Sequence, residues 1–143
     1  MYRYKTPKTT DARFWTLSRL WPTRPSGPGA VGYVTIAPGS QVTPDELTVW
    51  AAARVPERAA APKLVTILDS LPLTAVSKPY KPELRRHATE HAITERLAPI
   101  GIDGIHAELA DGLVTVVVPR TNHTTGVAVA AALDAYAITW RFE

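Results

Sequence analysis

Thr43-Pro44-Asp45-Glu46 lies between two β-branched runs, Gly32 to Ala37 (GYVTIA) and Leu64 to Leu68 (LVTIL), and this arrangement constrains the fold most. Threonine is a good cap, proline suits the first helical position, and a glutamate three residues after the cap completes a capping box. The two acids also favour the positive end of the helix. Leu47, Trp50, Ala51 and Arg54 follow at helical spacing, and Pro56 ends the helix. The first run is closed by Pro38-Gly39, and Pro62-Lys63 leads into the second. A strand, a capped helix and a second strand with short connections predict a βαβ unit, with two parallel strands and the helix on one face.

The 143 residues match the size of one domain with one sizeable core. With 45% hydrophobic and 20% charged residues, the composition is that of an ordinary globular protein. The formal charge of +3 is compatible with anionic ligands but is too small and dispersed for a nucleic-acid groove. The chain has no cysteine, which excludes disulfides, thiolate metal sites and cysteine catalysis. No apolar run approaches a membrane span, and the start lacks the apolar core of a signal peptide, so a cytoplasmic location is expected.

The first 31 residues read as a loop, with a basic solvated start (Arg3, Lys5, Lys8) and one edge strand within Asp11 to Trp21. Pro22, Pro25, Gly27, Pro28 and Gly29 then break any regular element. Later, Pro82-Glu83 opens a helix to about Leu97 whose apolar positions form no clean stripe. Ala110-Asp111-Gly112 between Ile105 to Leu109 and Leu113 to Val118 is a hairpin signal. A helix over Gly126 to Ala137, with Val129, Ala132, Leu133 and Tyr136 on one face, and a strand over Ile138 to Phe142 complete the pattern. No internal repeat is evident. The expected class is α/β (α+β): a small mixed-sheet sandwich with helices packed on the sheet, plus an α-β-β-α-β C-terminal extension.

Asp69 to Arg86 (DSLPLTAVSKPYKPELRR) is where residue types and spacing point to one chemistry. An apolar run ends in Leu71-Pro72, passes through a turn-prone loop and reaches Lys78 ahead of the helix. A preorganised lysine there stabilises charge developing on a phosphoryl or carboxylate group. From composition alone, a solvated, idle lysine is the favoured reading.

From about Pro25 to Arg86 the chain resembles the small C-terminal domain of the adenylate-forming superfamily, the acyl-CoA synthetases and their relatives. The strand and turn GYVTIAPG, the helix VTPDELTVWAAARVPERAAAPK and the closing LVTILDSLPLTAVSKPYKPELRR match in order. The last is similar to the family motif L-P-x-T-x-x-G-K, and the variants P-E-R-A-A-x-P-K and P-L-T-A-V look most like the fatty or aromatic acyl-CoA synthetase branch. The resemblance implies a ligase in which ATP activates a carboxylate to an acyl-adenylate and coenzyme A then takes the acyl group. It implies that Lys78 contacts the carboxylate and phosphate during adenylation. Ser77 stands where the family has glycine; if the backbone there is left-handed, serine costs on the order of 1 kcal/mol. Pro79 replaces an aliphatic residue, and Gly27-Pro28 replaces a Gly-Glu pair. The phosphate loop of the family's large domain is not in the sequence.

The domain reading is therefore 1–24 as a poorly defined N-terminal segment, 25–86 as the synthetase-like domain and 87–143 as an extension packed with it. The expected function is a detached or truncated C-terminal domain of an acyl-CoA synthetase, contributing Lys78 but inactive alone. No cofactor is expected in this chain alone; ATP, Mg and coenzyme A belong to a complete enzyme, whose large adenylation domain is the expected partner in trans. No nucleic-acid partner is expected. A regulatory or interaction module that keeps the fold is the alternative.

His87-Ala88-Thr89-Glu90-His91 matches an inverted zinc-protease signature, with two histidines four apart on a helix. Two exposed histidines on a charged helix is the favoured reading, so no metal site is expected. His106 is expected on the solvent face of a strand and His123 in a loop. Thr124-Thr125-Gly126 reads as an ordinary helix start. Trp50 and Trp140 read as packing residues. Asp103, Asp111 and Asp134 read as turn and surface groups.

Overall fold

The capping box forms as its residues dictate. Thr43 Oγ1 accepts from the Glu46 N–H at 3.3 Å and Glu46 Oε2 accepts from the Thr43 N–H at 2.9 Å, starting helix α1 (Pro44–Ala52). The computed structural model describes the backbone of residues 2–6 and 9–17, and residues 30–54 and 61–143 in full. The breaks expected at Pro22, Pro25, Gly27, Pro28 and Gly29, the helix stop at Pro56 and the 24/25 boundary lie outside the described residues.

The described chain forms two units, one ending at Tyr80 and the other running from Lys81 to Glu143. In the first, strands β1 (Tyr2–Thr6), β2 (Thr9–Leu17), β3 (Ala30–Thr35) and β4 (Pro62–Ile67) form one sheet in that order. β3 and β4 are parallel, with α1 as the crossover, so the βαβ expectation holds. The start of the chain corrects the reading of a tail and an edge strand. β1 and β2 form an antiparallel pair, and β2 is an inner strand, with Ala12 opposite Tyr4 and Arg13 opposite Thr35. Its inner position comes from pairing with both β1 and β3, which the alternation of its own residues does not encode.

Leu47 and Ala51 on α1 are buried with Val34, Val42 and Val65. Burying a leucine or valine contributes roughly 1.5–3 kcal/mol, so this cluster anchors the helix to the sheet. Thr48 adds a polar tie: its hydroxyl donates to Pro44 O at 2.9 Å and accepts from the Val65 N–H of edge strand β4 at 3.2 Å. Trp50 packs against the cluster, as expected, with the Arg54 guanidinium 4.3 Å from its ring centroid.

The second unit runs α2 (Lys81–Leu97), a single 3-10 turn (Ala98–Ile100), β5 (His106–Ala110), β6 (Leu113–Val118), α3 (His123–Leu133) and β7 (Thr139–Phe142). β5 and β6 join through Asp111 (φ 51°) and Gly112 (φ 77°), the two positive φ values that a primed two-residue hairpin turn requires. β7 lies parallel to β6, giving the order β5-β6-β7. The helix α2 buries two adjacent rows, Leu84-Ala88-Ala92 and Thr89-Ile93-Leu97. Thr89, a buried polar residue, completes this broad face, which explains why no apolar stripe was visible.

The core gathers Ile93, Leu97, Val116, Val118, Val129 and Leu133. The helix α3 starts three residues before the expected Gly126, because the Asn122 side chain accepts from the Thr125 N–H at 2.9 Å. His123 is therefore the first residue of α3 rather than a loop residue. Tyr136 is buried but lies past the helix end.

Each unit contains the same β-β-α-β motif, β2-β3-α1-β4 and β5-β6-α3-β7. The first two strands are antiparallel and the last is parallel to the middle one. No sequence repeat announced this topological one.

Candidate functional site

Beyond β4 the ladder continues one bond further, Leu68 N–H donating to Val34 O at 2.8 Å, before the chain bends at Asp69-Ser70. It then folds into a tight hairpin. Tyr80 N–H donates to Pro72 O at 2.8 Å and Leu73 bridges Pro79 in antiparallel fashion. At the tip, Ser77 N–H donates to Thr74 O at 2.9 Å and Thr74 N–H donates to Lys78 O at 2.7 Å. The Lys78 N–H donates to Thr74 Oγ1 at 3.2 Å. Ser77 has φ 57°, the left-handed residue that closes a three-residue hairpin loop after a turn. The conditional cost for a serine at this position therefore applies.

Thr74 uses its N–H, carbonyl and hydroxyl to fasten the two sides of the tip. Its structural role was not read from the sequence, although the motif contains it; a threonine four residues before a lysine in a Pro-flanked loop was the available signal. The tip itself faces solvent. Lys78 is exposed and has no hydrogen bond or ion pair from its side chain among the described residues. Val76, Leu73 and Tyr80 are 71%, 52% and 39% exposed, so the cation is flanked by uncovered apolar side chains. Chemically, this is a hydrogen-bonded hairpin tip that presents an exposed ammonium, a point charge with three donors, beside exposed apolar side chains.

Arg86, the last residue of the Asp69 to Arg86 stretch, plays another part. The Arg86 guanidinium contacts Glu83 at 2.8 Å and Glu90 at 2.9 Å and donates to Ala107 O at 3.3 Å. Glu90 Oε2 also accepts from the Ala107 N–H at 2.8 Å, so this half-buried network ties α2 to β5.

His87 and His91 share α2 as the spacing required, with His91 Nδ1 3.8 Å from Glu95 Oε2. Burial, reinforced by the Arg86 charge, lowers the His87 pKa below its ordinary value. No group of three or more His, Asp or Glu able to hold a metal occurs among the described residues. His106 is exposed on β5, 3.7 Å from Glu108, which pairs with Arg141 at 3.1 Å. Trp140 is half-buried against the core and meets Phe142 edge to face at 5.3 Å. Asp103, Asp111 and Asp134 are exposed, Asp111 in the hairpin turn and Asp134 at the C-cap of α3. A cleft of about 520 Å³ opens beside the start of α3, lined by Arg120, Asn122, His123, Val127 and Phe142 among others. No helix of the described residues is long and apolar enough to cross a membrane.

No protein-family model matches the chain, and no curated protein matches it. Among solved structures, it is similar to ATP-bound MatB from Rhodopseudomonas palustris. The identity is 17% and the TM-score 0.48, over 61% of this chain and 16% of that one. The same protein without ligand gives 17% identity and a TM-score of 0.46 over the same shares, 61% and 16%. The amide bond synthetase McbA from Marinactinospora thermotolerans gives 23% identity and a TM-score of 0.45, covering 58% of this chain and 16% of that one. This chain thus spans 16% of the length of these proteins. By its own elements it is a mixed α+β protein, with two sheets and three α-helices among the described residues.

Proposed function

We propose that this chain is the small, lysine-bearing domain of an adenylate-forming ligase of the acyl-CoA synthetase type, working with a large adenylation domain. The observation that carries the reading is the Lys78 hairpin tip. The residues that resemble the family's closing motif, Leu71 to Lys78, form a tight hairpin with the lysine exposed next to its left-handed residue. In this role the Lys78 ammonium stabilises negative charge on the carboxylate and phosphate as the acyl-adenylate forms. ATP, Mg and coenzyme A enter through the large domain, and the Leu73, Val76 and Tyr80 side chains meet its cleft.

Alone, the chain is expected to release no pyrophosphate from ATP and a fatty or aromatic carboxylic acid. Adding a large adenylation domain that lacks its own small domain is expected to restore release, and Lys78→Gln to abolish it. Restoration indifferent to Lys78, or no restoration with stable capture of a different protein, rejects this reading in favour of an interaction module.

A further inference from the structure

Ser77 holds a conformation that serine does not favour. Its φ of 57° lies in the left-handed region, where a Cβ crowds the backbone and glycine is the usual occupant. Asparagine and aspartate are tolerated there because their side chains can hydrogen-bond locally. Ser77 has no such compensation. Its N–H is used by the turn, while its exposed side chain makes no hydrogen bond among the described residues. The strain is held by the surrounding bonds from Thr74 and is not relieved by anything the serine side chain contacts. Backbone strain of this kind persists where the surrounding structure over-determines it, and it clusters at ligand clamps.

We infer that Ser77 is a second anion-binding residue, its hydroxyl donating to the same phosphoryl or carboxylate group that Lys78 contacts; this rests on the role proposed for Lys78. The two residues are consecutive at the hairpin tip and both are exposed. The chemistry is complementary. An ammonium is a point charge on a flexible stem and orients an anion poorly, whereas a hydroxyl on a short side chain is a single donor with only two rotatable bonds. Lysine supplies attraction, and serine fixes which oxygen is presented. Because the hydroxyl stays neutral throughout, it adds a donor without adding a charge that needs desolvating.

The test is a titration of the whole chain with inorganic pyrophosphate, monitored by the amide NMR signals of Ser77, Lys78 and Tyr80. Ser77→Ala keeps the strained backbone and removes the hydroxyl; Ser77→Gly removes both and is expected to leave the hairpin more stable than the wild type. Both variants are expected to bind roughly three- to tenfold more weakly, the range of one ordinary hydrogen bond net of its exchange with water, and Lys78→Gln is expected to abolish binding. Wild-type affinity in both serine variants, with loss in Lys78→Gln, overturns the inference and leaves the Lys78 role standing. Unchanged binding in Lys78→Gln overturns both. Absence of binding to the wild-type chain overturns the inference, and the Lys78 role is then decided by the reconstitution assay alone.

Discussion

The Thr74 hydroxyl accepts a hydrogen bond from the Lys78 backbone N–H at 3.2 Å, joining the two sides of the hairpin at the point where the lysine leaves it. A side-chain oxygen thereby takes a place in the ladder that the left-handed Ser77 interrupts. Thr74→Val keeps the shape and removes the acceptor. It is expected to cost about 0.5–1.5 kcal/mol and to speed hydrogen exchange at the Lys78 amide, measured by urea denaturation and NMR. Thr74→Ser retains the oxygen and is expected to restore protection.

Glu90 serves two donors at once, the Arg86 guanidinium and the Ala107 N–H. Glu90→Ala leaves a half-buried backbone donor and a cation without this partner, a loss of about 1–3 kcal/mol. Glu90→Gln keeps a carbonyl for Ala107 and is expected to fall between the two. Chemical denaturation of the three proteins checks the order.

Gly126 lies inside α3, where glycine is less favourable than alanine by about 1 kcal/mol. A Cβ there would meet Thr121 Oγ1 at 3.6 Å and Phe142 Cζ at 3.7 Å, both ordinary contacts. Gly126→Ala is therefore expected to stabilise the chain by close to the full propensity difference, raising the thermal midpoint.

Burial and then the Arg86 charge depress the His87 pKa, with a smaller contribution from His91, against the raising influence of Glu90 and Glu83. The folded state thus prefers neutral imidazole, and below the unfolded value near 6.5 the unfolded chain binds the extra proton. The stability contributed by neutral His87 is present above that value and is lost as pH falls through the lowered folded pKa. Urea midpoints measured between pH 5 and 8 are expected to fall on acidification, and His87→Gln to flatten the lower limb. An identical slope in the variant contradicts the assignment.

Local chemistry made much of this chain legible. The α1 cap, the Pro-opened α2 and the Asp-Gly hairpin are decided within a few residues, by side chains bonding to nearby backbone or by intrinsic φ preferences, so their spans follow from the residues themselves. The Leu71 to Lys78 motif marked the loop for the same reason. Tertiary structure decided what depends on partners distant in sequence. It made β2 an inner strand, placed polar Thr89 in the core, drew α3 back to the Asn122 cap and gave both units one topology, because ladders and burial are satisfied only once the strands and helices meet. It also decided the state of residue 77. Serine alone does not specify a left-handed backbone; the bonds from Thr74 to Ser77 and Lys78 impose it.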